Sequence, residues 1–359
     1  MMYRKKLLFV HPQQFGYGAG YFYYCKYLKN FFDIDFICYD QGFNKVYEEG
    51  VKVIYREIKG KRVFRLFKFI GFIIKYSRNK HIDVIFCFQI KFVFLIGLFD
   101  KSKNKILDIR TGSLSSTPII RWIINKLILM NTLFFQKVTV LSESLRESIG
   151  IPLKKTTLLP LGADTIDNSK KEFNKMHLIY VGVFYKRNLD VTIEGFQKFY
   201  NKYSKQVDIQ YDIIGFYRSL DEKKIKECIS VFQKNNGNGI INYYGPKNHT
   251  ELINYFKNAT VGVCFVPKTP YYDLQPSTKI LEYALSGLIS IATNTKENIR
   301  LITDENGVIC EDNAESFFIG LEKIYLSFNK YDYKVIKNSL SNYTWEKITK
   351  NILFPLLMK

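Results

Sequence analysis

Short apolar runs alternate with longer amphipathic stretches along the whole chain. In the first half, strand-like runs occupy residues 6–10, 34–40, 51–55, 83–88, 105–110 and 137–142. In the second half, similar runs occupy residues 177–184, 207–215, 240–245, 260–267 and 288–293. The stretches between them space their apolar residues as helices do. Strands that alternate with helices indicate an α/β protein with parallel, doubly wound sheets.

The length of the chain predicts that these strands and helices form two domains. At 359 residues it exceeds what a single hydrophobic core usually supports. The polar stretch 162–176 separates the two series of strands and has the composition of a linker. We therefore predict two Rossmann-like domains, residues 1–165 and 166–335, followed by a C-terminal segment, 336–359.

The composition indicates a globular protein, and the cysteine spacing does not match a metal-binding motif. Apolar residues make up 47% of the chain and charged residues 24%, a balance typical of folded domains. The six cysteines form no CxxC pair, and several stand within apolar strand-like runs. This favours reduced core cysteines over a disulfide framework or a zinc site. The apolar run at the N-terminus is too short for a signal peptide and predicts a first strand.

The positive charge is concentrated in the first half. The net charge is +20, and residues 1–165 hold 27 Lys and Arg against 12 Asp and Glu. Residues 166–359 hold 26 against 21. The first half is therefore expected to face an anionic partner, and anionic lipid, nucleic acid and a phosphorylated substrate all have the required charge.

Residues 59–80 carry eight basic residues and no acid among apolar side chains. As a helix, this segment places Arg62, Arg65 and Lys68 beside a wide apolar face, which is typical of a helix in a membrane interface. A second apolar segment, 118–135, adds Trp122. Both patterns also fit core helices with a solvated basic edge. Neither segment has the length of uninterrupted apolar residues that a membrane span needs. No RNA-recognition signature accompanies the charge, so we expect no nucleic-acid partner.

Two loops after strands have the character of ligand sites, because ligands bind at the carboxyl ends of parallel strands. The first loop reads HPQQFGYGAG, and Gly18 and Gly20 allow its backbone to approach a ligand closely. The second loop, VFYKRNLD, places Lys186 and Arg187 just before a helix, where Arg187 can bind two oxygens of a diphosphate. An ordinary glycine turn and a solvated basic turn are the alternatives.

A third segment, DLQPSTKILEYALSG at residues 273–287, is the most informative. Ser277, Thr278 and Lys279 stand at a helix start, where cap hydroxyls, free N–H groups and the helix dipole favour an anion. Glu282 follows one turn later, at a depth suited to accepting hydrogen bonds from ribose hydroxyls. A plain capped helix with Glu282 on its exposed edge is the alternative. The apolar residues around Glu282 favour the ligand site.

In their order along the chain, these segments resemble retaining glycosyltransferases of family 4, which have the GT-B fold. The resemblance covers most of the chain and is strongest in the second half. It rests on the stretches YVGVFYKRNLDVTIEGF, YDIIG, YYGPKNHTELINYFKNATVGVCFVP, QPSTKILEYALSGLISIAT and ENGVI, and more loosely on GAGYFYYCKYL, LDIRTGSLS, VTVLSESLRESIG, LLPLGAD and the closing NYTWEKITKNILFPLL. It implies two Rossmann-like domains that face a central cleft, with a final helix that returns to the first domain.

The resemblance assigns roles to the donor loops. Gly182 and Arg187 match the loop whose basic residue contacts the donor diphosphate. Ser277 and Thr278 match the helix start that cradles the distal phosphate, and Glu282 matches the carboxylate that binds the ribose.

Two further loops take their roles from the same resemblance. Gly18 and Gly20 match the glycine loop of the first domain, which closes on the donor. Gly245, Pro246 and Lys247 match the loop beside the nucleotide base.

The chain also departs from the family pattern. Where the family often has a second acid, this sequence has Leu274, with Asp273 next to it as a possible substitute. The basic residue that often follows the glycine of the second loop is Val183. A histidine common in the first domain is missing, and Asp108 and Arg110 occupy that region as candidate contacts to the sugar or the acceptor.

The expected reaction is transfer of a sugar from a nucleotide diphosphate sugar to an acceptor hydroxyl, with retention at the anomeric carbon. Arg187, Lys186 and the helix start would stabilise the leaving diphosphate, so we predict no metal and no cofactor. The basic first half points to a lipid-linked acceptor of bacterial surface polysaccharide synthesis, such as lipopolysaccharide or capsule. The enzyme would then be cytoplasmic and peripheral on the inner face of the plasma membrane. A sugar-nucleotide epimerase and a non-catalytic binding protein of the same fold are the alternatives.

Overall fold

The computed structural model describes residues 4–57, 59–115, 117–216 and 220–359. The chain forms two compact units. The first unit contains the residues up to 162 together with residues 345–359, and the second unit contains residues 163–344.

The first unit is built on a seven-stranded parallel sheet with the strand order β3-β2-β1-β4-β5-β6-β7. Its strands are β1 (Lys5–Val10), β2 (Phe32–Asp40), β3 (Val51–Glu57), β4 (Val84–Phe88), β5 (Asn104–Ile109), β6 (Lys137–Val140) and β7 (Thr156–Leu158). Sequence patterns predicted the first six of these strands. They missed β7, whose residues TTL include one apolar side chain and none that is fully buried.

Among the described residues of this unit, five helices connect the strands. They are α1 (Ala19–Leu28), α2 (Arg62–Lys80), α3 (Phe94–Phe99), α4 (Pro118–Thr132) and α5 (Glu143–Ile149), and a short 3-10 turn follows at Leu153–Lys155. Helix α2 packs Phe69, Ile70 and Ile73 against the sheet, at the helical spacing expected of a core-facing stripe.

The second unit is built on a six-stranded parallel sheet with the strand order β10-β9-β8-β11-β12-β13. Its strands are β8 (Met176–Val181), β9 (Ile209–Ile214), β10 (Ile241–Tyr243), β11 (Val261–Cys264), β12 (Ile289–Thr293) and β13 (Gly307–Cys310). Its helices are α6 (Leu189–Tyr203), α7 (Leu220–Asn236), α8 (Leu252–Asn258), α9 (Thr278–Leu285), α10 (Lys296–Leu301), α11 (Ala314–Leu326) and α12 (Tyr333–Ser339). Further 3-10 turns lie at Tyr272–Leu274, Phe328–Lys330 and Ser341–Tyr343. The prediction of two doubly wound parallel sheets is confirmed.

The polar stretch expected to be a linker packs onto the second unit instead. The Lys171 side chain is only 2% exposed, and its ammonium lies 2.6 Å from both Asp167 Oδ2 and the Phe256 carbonyl oxygen. The hydroxyl of Ser286 accepts a hydrogen bond from the backbone N–H of Ile166 at 3.1 Å. The polar composition of this stretch suggested a linker, but a lysine can be buried when a carboxylate and carbonyl oxygens bind its ammonium. Sequence patterns do not reveal such partners.

The C-terminal segment of the first unit is helical throughout. It consists of α13 (Trp345–Ile348), a π-helical turn (Thr349–Leu353) and α14 (Phe354–Met358). Trp345 stacks on Tyr23 of α1, with ring centroids 5.4 Å apart and ring planes 10° apart. The ammonium of Lys5 donates to the carbonyl oxygen of Met358 at 2.6 Å.

All six cysteines carry free thiols, and five of them are buried, as their apolar neighbours predicted. Burial raises the pKa of Cys38 to about 11 and that of Cys310 to about 12, so both thiols stay protonated at neutral pH.

Candidate functional site

The strand order of the second unit reverses between β8 and β11. Their shared ladder pairs Leu178 with Val261 and Ile179 with Gly262, and it stops before either strand ends. The two strands therefore diverge toward their carboxyl ends. In open α/β sheets, the crevice at such a reversal is where ligands bind. Two of the loops predicted to bind a donor leave from this place, residues 182–188 after β8 and residues 265–277 after β11.

One buried hydroxyl bridges the two diverging strands. Tyr283, on α9, accepts a hydrogen bond from the backbone N–H of Val181 at 3.2 Å and donates one to the carbonyl oxygen of Val263 at 3.3 Å. Its ring lies against Gly262, where a Cβ atom would come within 2.2 Å of the ring. Sequence analysis missed this contact. The glycine inside the apolar strand VGVC was the available signal, because such a glycine often marks a close approach.

The loop after β8 has an unusual backbone. Lys186 and Asn188 both adopt the left-handed conformation, with φ of 52° and 50°. Residues other than glycine adopt it at a cost, and such strain often occurs at ligand-binding segments. Tyr180 supports the loop from below, because its hydroxyl donates to the carbonyl oxygen of Val183 at 2.9 Å. The backbone on both sides of Arg187 therefore has a defined conformation.

The loops after β9 and β10 converge with this one. The backbone N–H of Gly182 donates to the carbonyl oxygen of Ile214 at 3.0 Å, and the N–H of Gly215 donates to that of Gly245 at 2.9 Å. Gly215 has a φ of 141°, and a Cβ atom there would lie 1.8 Å from the carbonyl oxygen of Gly182. The glycine that this crossing requires is therefore Gly215, which sequence analysis did not single out.

The other residues predicted beside the nucleotide base lie in the same loop as Gly245. Gly245 itself has a φ of 65°, a conformation that favours glycine. Pro246 follows it. The ammonium of Lys247 lies 3.4 Å from a carboxylate oxygen of Glu251, within an exposed pair. This loop adjoins the β8 loop through the glycine crossing.

Arg187 connects the β8 loop to the segment before α9. Its guanidinium carbon lies 4.7 Å from the centroid of the Tyr272 ring, within cation–π distance. Among the described residues no carboxylate pairs with Arg187, so its hydrogen-bonding groups are not committed to an acid in this structure. When one face of a guanidinium packs on an aromatic ring, its N–H groups, which lie in the guanidinium plane, can still donate to phosphate oxygens.

Helix α9 begins as predicted. Ser277 is its N-cap, and the Ser277 hydroxyl accepts a hydrogen bond from the backbone N–H of Lys279 at 3.2 Å. The thiol of Cys264, at the end of β11, donates to the same hydroxyl at 3.0 Å. Burial raises the pKa of Cys264, so it keeps this proton. Thr278 is the first helical residue and is half-buried.

Glu282 lies one turn into α9, where it pairs with Lys279. The ammonium of Lys279 is 2.6 Å from Glu282 Oε2, and the two side chains are 29% and 20% exposed. The carboxylate is therefore neither buried in the core nor solvated as on an open helix surface. Both groups of the pair keep capacity for further hydrogen bonds.

Asp273, the acid expected to substitute for Leu274, already has hydrogen-bonding partners. Its Oδ1 accepts a hydrogen bond from the backbone N–H of Lys296 at 2.9 Å. The ammonium of Lys296 lies 3.7 Å from Oδ2. Asp273 therefore ties the segment before α9 to the turn that follows β12. Any contact from Asp273 to a sugar would share a carboxylate that already holds this turn.

In the first unit, the glycine loop leads into α1. Gly18 is the N-cap of α1, and a Cβ atom at Gly20 would lie 3.2 Å from the ring of Trp345. The strongest requirement for glycine falls on Gly16, whose φ is 89° and where a Cβ atom would lie 2.4 Å from Val46.

Asp108 and Arg110 form an internal cluster in the first unit. Asp108 is 0% exposed, and Arg110 is 14% exposed. Asp108 Oδ2 accepts hydrogen bonds from Tyr21 at 2.8 Å and from Arg110 at 2.7 Å, and its Oδ1 accepts one from Thr139 at 2.6 Å. Arg110 also donates to Tyr24, at 2.7 Å. In this arrangement, Asp108 exposes no oxygen to a ligand, and Arg110 does not lie on an outer face. These bonds hold the two side chains inside the first unit, and a contact from either of them to the sugar or the acceptor stays a prediction.

The other basic and aromatic residues of the first unit lie on two helices. Arg62 and Lys68 are exposed on α2, and Arg65 is half-buried between them. Trp122, on α4, is 62% exposed. The buried residues of α4 are limited to Asn125, Ile128, Asn131 and Thr132. Helix α2 therefore buries one apolar stripe but leaves Val63, Phe64 and Phe67 exposed beside its basic residues. Helix α4 leaves most of its apolar side chains uncovered.

Two further properties concern the residues that the structure describes. Within those residues, no helix combines the length and apolarity needed to cross a membrane. The same residues contain no cluster of His, Cys, Asp and Glu suited to holding a metal ion.

The two parallel sheets, of seven and six strands, together with the solved structures of similar fold described below, confirm the predicted GT-B fold class. Residues 175–326 match the family model described as glycosyl transferases group 1. This segment includes all of the second-unit residues predicted to bind the donor. The family match covers less than half of the chain and lies within the second unit.

Solved structures of similar fold span the whole chain. Sucrose-phosphate synthase from Thermosynechococcus elongatus is 16% identical, with a TM-score of 0.71 and 99% of each chain covered. Anabaena Alr3699/HepE in complex with UDP-glucose is 12% identical, with a TM-score of 0.71 and coverage of 99% of this chain and 100% of that one. The lipopolysaccharide outer core galactosyltransferase WaaB, in its apo form, is 14% identical, with a TM-score of 0.71 and coverage of 98% and 99%. No curated protein sequence matches the chain significantly.

Proposed function

We propose that this protein is a retaining glycosyltransferase of family 4 that uses a nucleotide diphosphate sugar as donor and needs no metal or other cofactor. The donor site lies at the β8–β11 edge of the second unit. One observation carries the proposal: the strand order reverses there, and the two loops that leave this point bring Arg187 against Tyr272, just before the capped start of α9.

Each part of the site has a chemical role in this proposal. Arg187 and Lys186 bind the diphosphate oxygens, and the free N–H groups at Ser277 and Thr278 bind the distal phosphate. Glu282 accepts hydrogen bonds from the ribose hydroxyls. The solved complex of the similar Anabaena protein with UDP-glucose supports a nucleotide sugar as the donor.

The reaction breaks the bond between the anomeric carbon and the diphosphate oxygen. The acceptor hydroxyl oxygen forms the new bond on the same face of the sugar, and its proton passes to the leaving diphosphate. Negative charge therefore grows on the diphosphate in the transition state. Fixed cations and N–H dipoles at that position lower the barrier, because they require no reorganisation as the charge develops.

The test is to mix the protein with a panel of nucleotide sugars and a lipid-linked acceptor, and to measure released nucleotide diphosphate and the anomeric configuration of the product. Arg187→Ala should lower turnover by about tenfold or more, because a charge-assisted hydrogen bond to the leaving group is lost. Lys234→Ala, which removes a charge from the last turn of α7, is the matched control. A donor epimerised without acceptor, an inverted product, or wild-type turnover in Arg187→Ala would contradict the proposal.

We further propose that the acceptor is lipid-linked, in bacterial surface polysaccharide synthesis, and that the protein lies on the anionic inner face of the plasma membrane. Helix α4 and the residue after it provide the apolar surface: Ile119, Ile120, Trp122, Ile123, Leu127, Met130 and Leu133 are all exposed. The ammonium of Lys126 lies 5.8 Å from the centroid of the Trp122 ring, so basic charge flanks this surface. An exposed apolar helix flanked by lysine is typical of binding to anionic lipid.

Tryptophan fluorescence provides a direct test with lipid vesicles. The chain has two tryptophans, and Trp345 is buried within the first unit, so a blue shift on mixing with vesicles reports Trp122. We expect the shift with vesicles that contain phosphatidylglycerol and its loss in Leu127→Ser, which removes an exposed apolar side chain of α4 and leaves the Trp122 reporter in place. Ile319→Ser, on the exposed face of α11, is the control and should bind vesicles like the wild type. Equal binding by both variants, or none by the wild type, would contradict this placement.

A further inference from the structure

A pocket of about 460 Å³ lies at the carboxyl ends of β2 and β3 in the first unit, where these strands face α2. We call it the basic pocket. Its lining consists of Tyr39, Tyr55, Arg56, Glu57, Lys59, Arg65, Lys68 and Phe69. The carboxyl edge of a parallel sheet is the side on which α/β proteins bind ligands. Neither the donor site nor the apolar surface of α4 uses any of these residues.

The floor of the basic pocket is aromatic and well packed. The rings of Tyr39 and Phe69 stack with centroids 4.2 Å apart, and Phe69 is buried. The guanidinium carbon of Arg65 lies 5.7 Å from the centroid of the Tyr39 ring, and Arg65 also hydrogen-bonds to Tyr39. An apolar floor strengthens the interaction between the cations above it and a bound anion, because it displaces water from one side.

The charges of the basic pocket are not balanced. Its lining holds four cations, and Glu57 is the carboxylate among them, already paired with Lys59 at 2.7 Å. The guanidinium of Arg56 packs on the Phe72 ring, 4.0 Å from its centroid. Across the described parts of the chain, no acid pairs with Arg56, Arg65 or Lys68.

Other basic residues of the same unit do have acidic partners. Lys29 pairs with Glu48 at 2.6 Å, and Arg146 pairs with Glu143 at 2.5 Å. A group of like charges that surrounds a concave space repels itself, and a bound anion relieves this repulsion.

We propose that the basic pocket binds a phosphate monoester or diphosphate group. We take this group to be part of the acceptor, and in that respect the inference rests on the proposed function. Two arginine forks and a lysine match the charge and the oxygens of a phosphate, whereas a carboxylate would leave most of the charge unbalanced. The same group can come from a soluble phosphorylated molecule or from a lipid headgroup.

The first experiment measures binding of inorganic pyrophosphate to the full chain by calorimetry. Lys68→Gln and Arg65→Gln should each raise Kd about tenfold, because each removes a charge-assisted hydrogen bond. Lys68 is exposed and has no carboxylate partner among the described residues, so its replacement leaves the fold intact. Lys75→Gln is the matched control: it removes one exposed charge from the same helix, outside the pocket, and should leave Kd within about twofold.

The donor site also binds phosphate in our account, so Arg187→Ala is measured in parallel. Retained pyrophosphate binding in Arg187→Ala, with loss in Lys68→Gln, supports the basic pocket whether or not the donor proposal holds. Loss in Arg187→Ala, with wild-type affinity in both pocket variants, would overturn it. Equal weakening by Lys75→Gln would also overturn it, because general surface charge would then explain the binding.

Vesicles identify the source of the phosphate group. Phosphatidylcholine vesicles are prepared with and without a prenyl diphosphate and are sedimented with wild type, Lys68→Gln and Lys75→Gln. Binding that needs both the prenyl diphosphate and Lys68 supports a lipid source. Pyrophosphate binding that needs Lys68, without such vesicle binding, supports a soluble source. If Lys68→Gln changes neither the affinity for pyrophosphate nor the binding to vesicles, the inference is overturned.

Discussion

Each unit carries a carboxylate near the carboxyl edge of its sheet that pairs with one cation, but the two pairs have opposite surroundings. In the first unit, Asp108 is 0% exposed and accepts hydrogen bonds from Arg110, Tyr21 and Thr139. In the second unit, Glu282 is 20% exposed, and Lys279 is its hydrogen-bonding partner.

The difference separates a supporting carboxylate from an available one. A buried carboxylate that already accepts three hydrogen bonds cannot change partners without a large desolvation cost. A half-exposed carboxylate with one partner can accept further hydrogen bonds at little cost. Similar residue types at the edges of similar sheets thus serve stability in the first unit and, in our proposal, ligand binding in the second.

The largest expected effect is on the stability of the first unit. Asp108→Asn leaves the Arg110 guanidinium buried without its counter-charge, and we expect a loss of about 3 to 5 kcal/mol. Denaturant unfolding measures this loss. Glu346→Gln is the matched control, because Glu346 forms an exposed pair with Lys350 and should change stability by less than about 1 kcal/mol. A small effect of Asp108→Asn would remove the supporting role.

The second prediction concerns His11, which packs on Tyr21 with ring centroids 4.5 Å apart in the same cluster. Burial lowers the pKa of His11 to about 4 from its ordinary 6.5, while Asp108 opposes this shift and Arg110 adds to it. The unfolded chain therefore binds the proton first as the pH falls. Stability is present above pH 6.5 and decreases toward pH 4, by up to about 3 kcal/mol.

The check compares the pH dependence of unfolding in the wild type and in His11→Gln. The variant should lose less stability between pH 6.5 and 4, because glutamine does not titrate. Identical pH profiles would show that His11 is not held neutral by the cluster.

The third prediction tests the support of the donor edge. Tyr283→Phe leaves the Val181 N–H and the Val263 carbonyl without their shared partner, and we expect a loss of about 1 to 3 kcal/mol in unfolding free energy. Tyr47→Phe, at an exposed tyrosine, should have no measurable effect. An unchanged Tyr283→Phe variant would show that the diverging strands need no bridge.

The smallest expected effect on stability is that of Glu282→Gln. It replaces a half-exposed pair, and we expect a change of less than about 0.5 kcal/mol in thermal or denaturant unfolding. A loss comparable to that of Asp108→Asn would make Glu282 a supporting residue too, and the contrast between the two carboxylates would disappear.

The two sheets and the cap of α9 could be predicted because they depend on local patterns. Alternating apolar runs indicate parallel strands, and Ser277 stands in a sequence typical of an N-cap. The bridge by Tyr283 could not be predicted, because it depends on how far β8 and β11 diverge.

The partners of some charged residues and glycines also could not be predicted, because they are distant in sequence. The burial of Asp108 depends on Tyr21 and Thr139, which are distant in sequence. The requirement for glycine at Gly215 arises from the Gly182 carbonyl oxygen of a neighbouring loop.

Equilibrium binding of a panel of nucleotide diphosphate sugars, UDP-glucose included, tests the central claim most directly. We expect at least one of them to bind the wild type, with affinity reduced about tenfold in Glu282→Gln and in Arg187→Ala, and unchanged in Lys234→Ala. If no nucleotide sugar binds, or if one binds all four proteins equally, the β8–β11 edge is not the donor site.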